Sequence, residues 1–304
     1  MIPALFLAVA VAAAHTHAPA AGHGSIRRYE IDAPELHDPN RAVRVYTPPG
    51  YDDPDSSTRR YPVVYLLHGW PGSEGNWPSM GHATVTADSL IASGRIPPVL
   101  LVFPNGNGKG LLGRSLYVDS YDGQSKMEQF LTHRLLAWVD STFRTVPDAA
   151  DRAVIGLSDG GTAAINLVFQ HPDLFSACGS HSADLRLEKG FGMGGVVGPE
   201  PGATLLLEAK SPLTYVRALP HIGHPVIYFD CGDDDESAGE NREFDVMLTG
   251  MGVAHTYREF PGTHDWKYWR AHLPASLVAV TAKMRGAEAP PAERNAANDG
   301  ASSH

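Results

Sequence analysis

The hexapeptide Gly156-Leu157-Ser158-Asp159-Gly160-Gly161 sets a serine between glycines in the pattern G-x-S-x-G. An apolar run, Ala153-Val154-Ile155, leads into it, and a helix-compatible segment, Thr162 to Phe169, follows. A strand that turns sharply into a helix at a serine lifts the hydroxyl above the end of a sheet, and the glycines leave room for the crowded turn. The bare pattern arises by chance in a glycine-rich chain and then marks only a tight turn, so the flanking strand and helix carry the assignment. Ser158 is the candidate nucleophile.

A serine hydroxyl attacks near neutral pH only if a base takes its proton and an acid orients that base. After a turn of this kind the partners follow in the order acid then histidine, each at a strand end. Between Ser158 and the tail the downstream histidines are His171, His181, His221, His224, His255, His264 and His272. His264 is the best placed, because Thr256 to Phe260 reads as a strand and Pro261-Gly262-Thr263-His264 as the loop leaving it. His171 and His272 fall on expected helices, and His221 and His224 precede a strand, at the wrong end of the sheet. The acid should follow the strand Val226 to Cys231, where Asp230, Asp233, Asp234, Asp235 and Glu236 crowd together. Spacing leaves Asp233, Asp234 and Asp235 open. Asp265 adjoins His264 in sequence and cannot readily turn back to orient its ring. The same acidic cluster has a second reading as a calcium site, but it lacks the spaced Asp-x-Asp-x-Asp-Gly loop.

Negative charge that develops on a carbonyl oxygen must also be held. His68-Gly69-Trp70 follows the strand Pro62 to Leu67, where such turns contribute one backbone N–H, and Asp159, the residue after the nucleophile, supplies the other. The expected oxyanion hole is therefore the N–H groups of Trp70 and Asp159. Gly69 and Gly72 would by themselves mark only a turn.

The elements that position these residues are legible in the alternation of patterns. Short runs rich in Val, Ile and Tyr alternate with longer segments of helical spacing, the signature of a parallel sheet with crossover helices. Strands are expected at Arg41 to Thr47, Pro62 to His68, Val99 to Phe103, Arg152 to Leu157, Phe175 to His181, Val226 to Cys231 and Thr256 to Phe260. Their continuous apolar character suits strands covered on both faces. Helices are expected at Thr84 to Gly94, Lys126 to Phe143, Gly160 to His171, Asn241 to Gly250 and Trp266 to Met284. In the second of these, Met127, Phe130, Leu131, Leu135, Trp138 and Val139 form a buried stripe. Leu185 to Tyr215, poor in side chains around Gly192 to Gly198, reads as loops above Ser158. Trp70, Trp77, Trp266 and Trp269 are candidates to wall a pocket, at least half of them as packing residues.

Composition bounds the rest. The chain has 304 residues, 43% of them hydrophobic and 19% charged, which excludes a disordered, collagenous or coiled-coil protein. With 24 Lys and Arg against 34 Asp and Glu, the formal charge is −10, and no basic run offers a phosphate-binding surface, so nucleic acid is not an expected partner. Cys178 and Cys231 are too few for a zinc framework; they fall in consecutive expected strands, where two buried free thiols are expected rather than a bridge. Residues 1–24 lack Asp, Glu, Lys and Arg, and Ile2 to Ala14 is an apolar run ending in Ala-rich sequence, with an Ala12-Ala13-Ala14 or Ala18-Pro19-Ala20 cleavage site, as in a signal peptide. A secreted or periplasmic protein is expected on this ground, with a cytoplasmic one the alternative, since the leader lacks a basic start. His15, His17 and His23 belong to this leader rather than to a metal site. No apolar stretch approaches the ~20 residues of a transmembrane helix. Residues 286–304 read as a disordered tail, so a single domain at 25–285 is expected.

Successive blocks resemble one family. They are Tyr46-Thr47-Pro48-Pro49-Gly50-Tyr51, Tyr61-Pro62-Val63-Val64-Tyr65-Leu66-Leu67-His68-Gly69, Phe103-Pro104-Asn105-Gly106, the Ser158 hexapeptide, His171-Pro172-Asp173-Leu174-Phe175 and Gly262-Thr263-His264-Asp265-Trp266-Lys267-Tyr268-Trp269. In this order, over about residues 41 to 280, they are similar to the esterase D-like branch of the α/β-hydrolases, which holds feruloyl and acetylxylan esterases, S-formylglutathione hydrolases and mycolyltransferases. The resemblance implies an α/β-hydrolase fold, with a mostly parallel central sheet of about eight strands and helices on both faces. The family's acid lies three residues after a strand-end glycine, with an Asn six residues further and an aromatic three beyond; Gly232, Asp235, Asn241 and Phe244 match, which selects Asp235. The implied chemistry is hydrolysis of a small-molecule or carbohydrate-linked ester through an acyl-enzyme on Ser158, with no metal or organic cofactor. Acyl transfer to an alcohol, as in mycolyltransferases, and a non-catalytic binding protein on the same scaffold are the alternatives. The chain departs from the family at Asp159, where Met is frequent, at Arg134, where an acid is frequent, and at Glu236-Ser237-Ala238, where apolar residues are common. Composition and pattern leave the oligomeric state open.

Overall fold

The computed structural model describes residues 22–108, 113–219 and 223–288. Eight strands form one sheet: β1 (Ser25–Ala33), β2 (Asp38–Thr47), β3 (Val63–Leu67), β4 (Leu100–Pro104), β5 (Arg152–Leu157), β6 (Ala177–His181), β7 (Val226–Gly232) and β8 (Thr256–Phe260). Their order across the sheet is β1-β2-β4-β3-β5-β6-β7-β8. β1 pairs antiparallel with β2 and β2 with β4; every later pairing is parallel. The expected α/β architecture is therefore the one observed, with the order reversing between β3 and β5 on one side and β4 on the other. In open sheets of this kind a site forms beyond the C-terminal strand ends near such a switch point.

Period-two alternation decides which face each side chain covers. Along β3, Val63, Tyr65 and Leu67 join the core on one face, while Val64 and Leu66 join the core on the other. Helices α2 (Asp159–Gln170) and α3 (Ala238–Gly250) cover the first face; α1 (Ala83–Ala92) and α4 (Trp266–Thr281) cover the second. The expected helix from Lys126 also packs on the first face, with Met127, Phe130, Leu131, Leu135 and Val139 buried. Its middle, Phe130–Leu135, is π-helical, next to a Thr132 hydroxyl that donates to the Glu128 carbonyl at 2.7 Å. A side-chain bond back along the helix competes with the regular ladder, a local effect invisible to the apolar period.

Edge strand β1 shows no apolar run, because its Ser-Ile-Arg-Arg-Tyr-Glu-Ile-Asp-Ala sequence buries few residues at the sheet edge. Three expectations are corrected. The opposite edge, β8, is half-exposed rather than covered on both faces, as its Arg258 and Glu259 suit. Leu185 to Tyr215 is not loop alone: Gly194–Val197, Gly202–Lys210 and Pro212–Tyr215 are short helices, and Leu187, Met193, Val196, Val197, Ala203 and Leu207 pack with Leu116 and Val118 into a third, small core. The tail expected from Gly286 begins with order, since Ala287 and Glu288 pair antiparallel with Arg60 and Arg59. The remainder of that tail, His221 and all but the last three residues of the leader lie outside the described residues. Cys178 and Cys231 are buried free thiols. No helix among the described residues is long and apolar enough to cross a membrane.

Candidate active site

Ser158 stands at the junction of β5 and α2, with φ 53° and ψ −125°. A non-glycine residue at positive φ costs on the order of 1–3 kcal/mol, and the surroundings hold it there. Its N–H donates to the carbonyl of His181 at the end of β6, at 2.9 Å, and its own carbonyl accepts from Gly161 and Thr162. The glycines around it are required by contact. A Cβ on Gly160 would come within 2.5 Å of the Leu67 carbonyl oxygen and 2.6 Å of that of His68, and one on Gly156 would strike the Gly160 backbone.

The Ser158 hydroxyl donates to Nε2 of His264 at 3.1 Å. On the other side of the ring, Nδ1–H of His264 faces both oxygens of Asp235 at 3.0 Å. Asp235 is the only one of the three open aspartates that meets the histidine. Asp233 instead accepts from the Gly262 N–H at 3.0 Å, and Asp230 faces His181. The acidic residues after β7 thus diverge, and among the described residues no three His, Cys, Asp or Glu side chains converge to hold a metal ion. Asp265 caps α4, accepting from the Tyr268 N–H at 2.8 Å.

Electrostatics follow from these contacts. Burial works to raise the Asp235 pKa, but hydrogen bonds from His264, the Ser237 N–H and the Ser182 hydroxyl outweigh it and hold the carboxyl below its ordinary value. For His264, burial works to lower the pKa, and the hydrogen bond and charge of Asp235 override it, leaving the imidazole above its ordinary value. A carboxylate that favours the charged ring is suited to a base that must hold a proton in passing.

The loop after β3 presses against the serine. A Cβ on Gly69 would meet Leu157 Cδ1 at 2.7 Å and Ser158 Cβ at 3.0 Å, so only glycine lets the two segments approach this closely. His68 pins this loop. Its Nε2 accepts from the Gly106 N–H at 2.8 Å, which leaves Nδ1 as the donor to the Gly69 carbonyl at 2.7 Å. Burial drives its pKa down to about 4, so the ring is neutral near pH 7. Among the described residues the N–H groups of Trp70 and Asp159 are spent on no protein acceptor.

Further contacts support these residues, and of the side chains that make them Arg114, Ser182 and Asp184 had no signal in the sequence. The Ser237 N–H donates to Asp235 at 2.9 Å, while its hydroxyl donates to Asp184 at 2.8 Å. Trp269 sets its ring edge-on to His264, with centroids 5.0 Å apart, and its indole N–H donates to Ser182. Arg114 forks onto the buried Asp159 carboxylate, with Nε 2.7 Å from Oδ2 and Nη2 on Oδ1, and lies over the Trp70 ring at 5.5 Å. Burial raises the Asp159 pKa, and this fork opposes the rise. Of the tryptophans, Trp77 and Trp269 are buried packing residues, whereas Trp70 is half-exposed and 6.1 Å from the ring of Phe191, itself 75% exposed. A cavity of about 570 Å³ lined by Arg114, Ser120, Gln124, Gly192 and Val196 among others adjoins this corner without reaching Ser158.

A second Ser, His and Asp set lies deeper. His181 is 2.9 Å from both Asp230 Oδ1 and the Ser276 hydroxyl, but all three residues are 0% exposed, so no substrate reaches them. The Ser276 hydroxyl is spent on the Leu273 carbonyl at 3.0 Å.

The chain is similar to known proteins. A family model described as "Putative esterase" matches residues 35–280. An endo-1,4-beta-xylanase/feruloyl esterase of Xylanibacter ruminicola is 28% identical over 255 residues, covering 83% of this chain and 30% of that protein. An esterase of Mycobacterium tuberculosis is 26% identical over 273 residues, covering 82% of this chain and 57% of that protein. The chain thus spans between about a third and three fifths of the length of these relatives. A solved ferulic acid esterase superposes with a TM-score of 0.74 at 29% identity, covering 86% of this chain and 98% of that one.

Proposed function

Since the chain belongs to this esterase family, we propose that it is a serine carboxylic-ester hydrolase working through an acyl-enzyme on Ser158. The observation that supports the reading most is the single imidazole of His264, which bridges the Ser158 hydroxyl at 3.1 Å and the Asp235 carboxylate at 3.0 Å. Ser158 Oγ attacks the ester carbonyl carbon while its proton passes to His264 Nε2. The negative charge on the carbonyl oxygen is met by the N–H groups of Trp70 and Asp159. Collapse of the tetrahedral intermediate breaks the bond to the alcohol oxygen, which leaves with the proton from His264. Water then gives a proton to the same nitrogen, attacks the acyl-enzyme, and the acid departs as Ser158 regains its hydrogen.

The substrate class we favour is a feruloyl, acetyl or other small acyl ester of a carbohydrate. It is supported by the two feruloyl or ferulic acid esterases that the chain resembles and by the paired aromatic rings of Trp70 and Phe191, Trp70 adjoining the Gly69 that packs on the serine. Polysaccharide esters lie outside the cell, and the apolar run 2–14 supports export; assay of secreted and cell fractions tests it.

Ser158→Ala, checked for an unchanged circular dichroism spectrum, is expected to lose turnover of p-nitrophenyl acetate and methyl ferulate and labelling by a fluorophosphonate. A folded variant that keeps both would remove Ser158 from the reaction. Repeating the assay with trehalose present separates hydrolysis from transfer, since transfer would yield acylated sugar.

A further inference from the structure

Two amides are assigned above to the oxyanion, and one side chain touches both residues that carry them. Arg114 binds the Asp159 carboxylate through two nitrogens and lies over the Trp70 ring. A planar guanidinium in a fork fixes its partner's direction as well as its distance, and stacking on an aromatic face fixes a second partner at the same time. The contact joins segments 45 residues apart in the chain and is mostly out of solvent, with side-chain exposures of 15% for Arg114 and 3% for Asp159. Arg114 also lies 3.8 Å from Asp184, which accepts the Ser237 hydroxyl, and the Ser237 N–H holds Asp235. One cation therefore ties the Trp70 loop, the start of α2 and the support of the acid into one network.

We propose that Arg114 is a positioning residue for the oxyanion hole, holding Trp70 and Asp159 at a fixed separation and neutralising the Asp159 carboxylate beside the place where negative charge develops. The inference rests on the ester-hydrolase reading. Its logic is that amides act on a transition state only when their geometry is set in advance. Without Arg114 two things go wrong together: the amides lose their clamp, and a buried carboxylate one residue from the nucleophile is left without its partner, opposing a second negative charge.

The experiment compares wild type, Arg114→Ala, Arg114→Lys, Asp159→Asn and the double variant Arg114→Ala/Asp159→Asn, each verified as folded by its melting curve. Turnover of p-nitrophenyl acetate is measured together with inhibition by a phenylboronic acid, whose adduct with the serine is tetrahedral and negatively charged. Arg114→Ala is expected to lower kcat about 10²-fold, comparable to loss of one oxyanion donor, with KM changed less than threefold. Boronate affinity should fall in parallel with kcat. The acid limb of the pH profile should move to higher pH, because the uncompensated Asp159 carboxylate favours protonated His264. Arg114→Lys should recover part of kcat, and the double variant should exceed Arg114→Ala at least tenfold by removing the stranded charge. A folded Arg114→Ala enzyme with kcat within threefold of wild type, or one with lowered kcat but unchanged boronate affinity and pH profile, overturns the assignment while Ser158→Ala stays inert. If wild type neither turns over esters nor is labelled by a fluorophosphonate, the hydrolase reading itself falls, and the assignment with it.

Discussion

The peptide N–H of Ser158 donates to the carbonyl of His181, 2.9 Å away at the end of the neighbouring strand. The His181 side chain in turn faces Asp230 and Ser276 in a fully buried set, so the strained backbone of the serine is tied to a polar knot inside the sheet. The knot is high-stakes because, among the described residues, the two ring nitrogens of His181 bond only Asp230 and Ser276, and none of the three reaches water.

Asp230→Ala removes the partner of a fully buried histidine. It should cost about 1–3 kcal/mol of stability, the usual result of leaving a buried polar group without its hydrogen-bond partner. Urea unfolding at pH 7 measures this; a loss under 1 kcal/mol would show that the knot is dispensable.

Asp235→Asn keeps the shape of the acid but not its charge. By analogy with other Ser-His-Asp enzymes, kcat should fall about 10⁴-fold. Wild-type activity should rise with pH through a His264 ionisation above its ordinary value, since only the neutral ring accepts a proton. In the variant, burial still lowers the pKa and the carboxylate no longer raises it, so the acid limb should move to lower pH. A pH profile of kcat/KM reads both effects.

His68 makes the fold acid-sensitive. In the unfolded chain it takes a proton near pH 6.5, in the folded protein only near about 4. Between these values the unfolded state holds more protons, so the stability contributed is whole above pH 6.5 and is lost as pH falls toward 4. The shift corresponds to about 3 kcal/mol. Comparing wild type with His68→Asn by urea unfolding, the advantage of wild type should shrink by about 2 to 3 kcal/mol between pH 7 and pH 4.5. An advantage independent of pH would contradict it.

Gly160→Ala places a methyl group against two main-chain oxygens that cannot swing away. The serine turn or the His68 loop must move, at a cost of about 1–3 kcal/mol and a loss of kcat of at least tenfold. Gly194→Ala meets nothing within 4 Å and should leave melting temperature and kcat within experimental error. Thermal melts and steady-state rates on both variants test the contrast.

How far the site could be read from residues alone depends on the range of the interaction. The turn at Ser158 was legible because strand, glycines and helix are contiguous, and His264 because it follows its strand by four residues. The acid was not legible from its place after the strand, since Asp233, Asp234 and Asp235 lie in one turn; only the family resemblance selected Asp235, and backbone direction sends Asp233 to Gly262 and Asp235 to His264. The bounds of edge strand β1 were not legible, because an edge buries too little to show an apolar run.

Local chemistry and hydrophobic period were enough to specify a mostly parallel sheet, the sharp turn that presents Ser158, and the order of nucleophile, acid and base along the chain. Tertiary structure alone decided where the neighbouring carboxylates Asp230 and Asp233 go, that His68 pins the loop against Gly106, that His181 is structural, and that Arg114 reaches Asp159 and Trp70. The physical reason is that periodicity and turn chemistry act between near neighbours in sequence. A hydrogen bond or a guanidinium fork depends on side-chain direction to within about an ångström, and that is set only when distant segments pack.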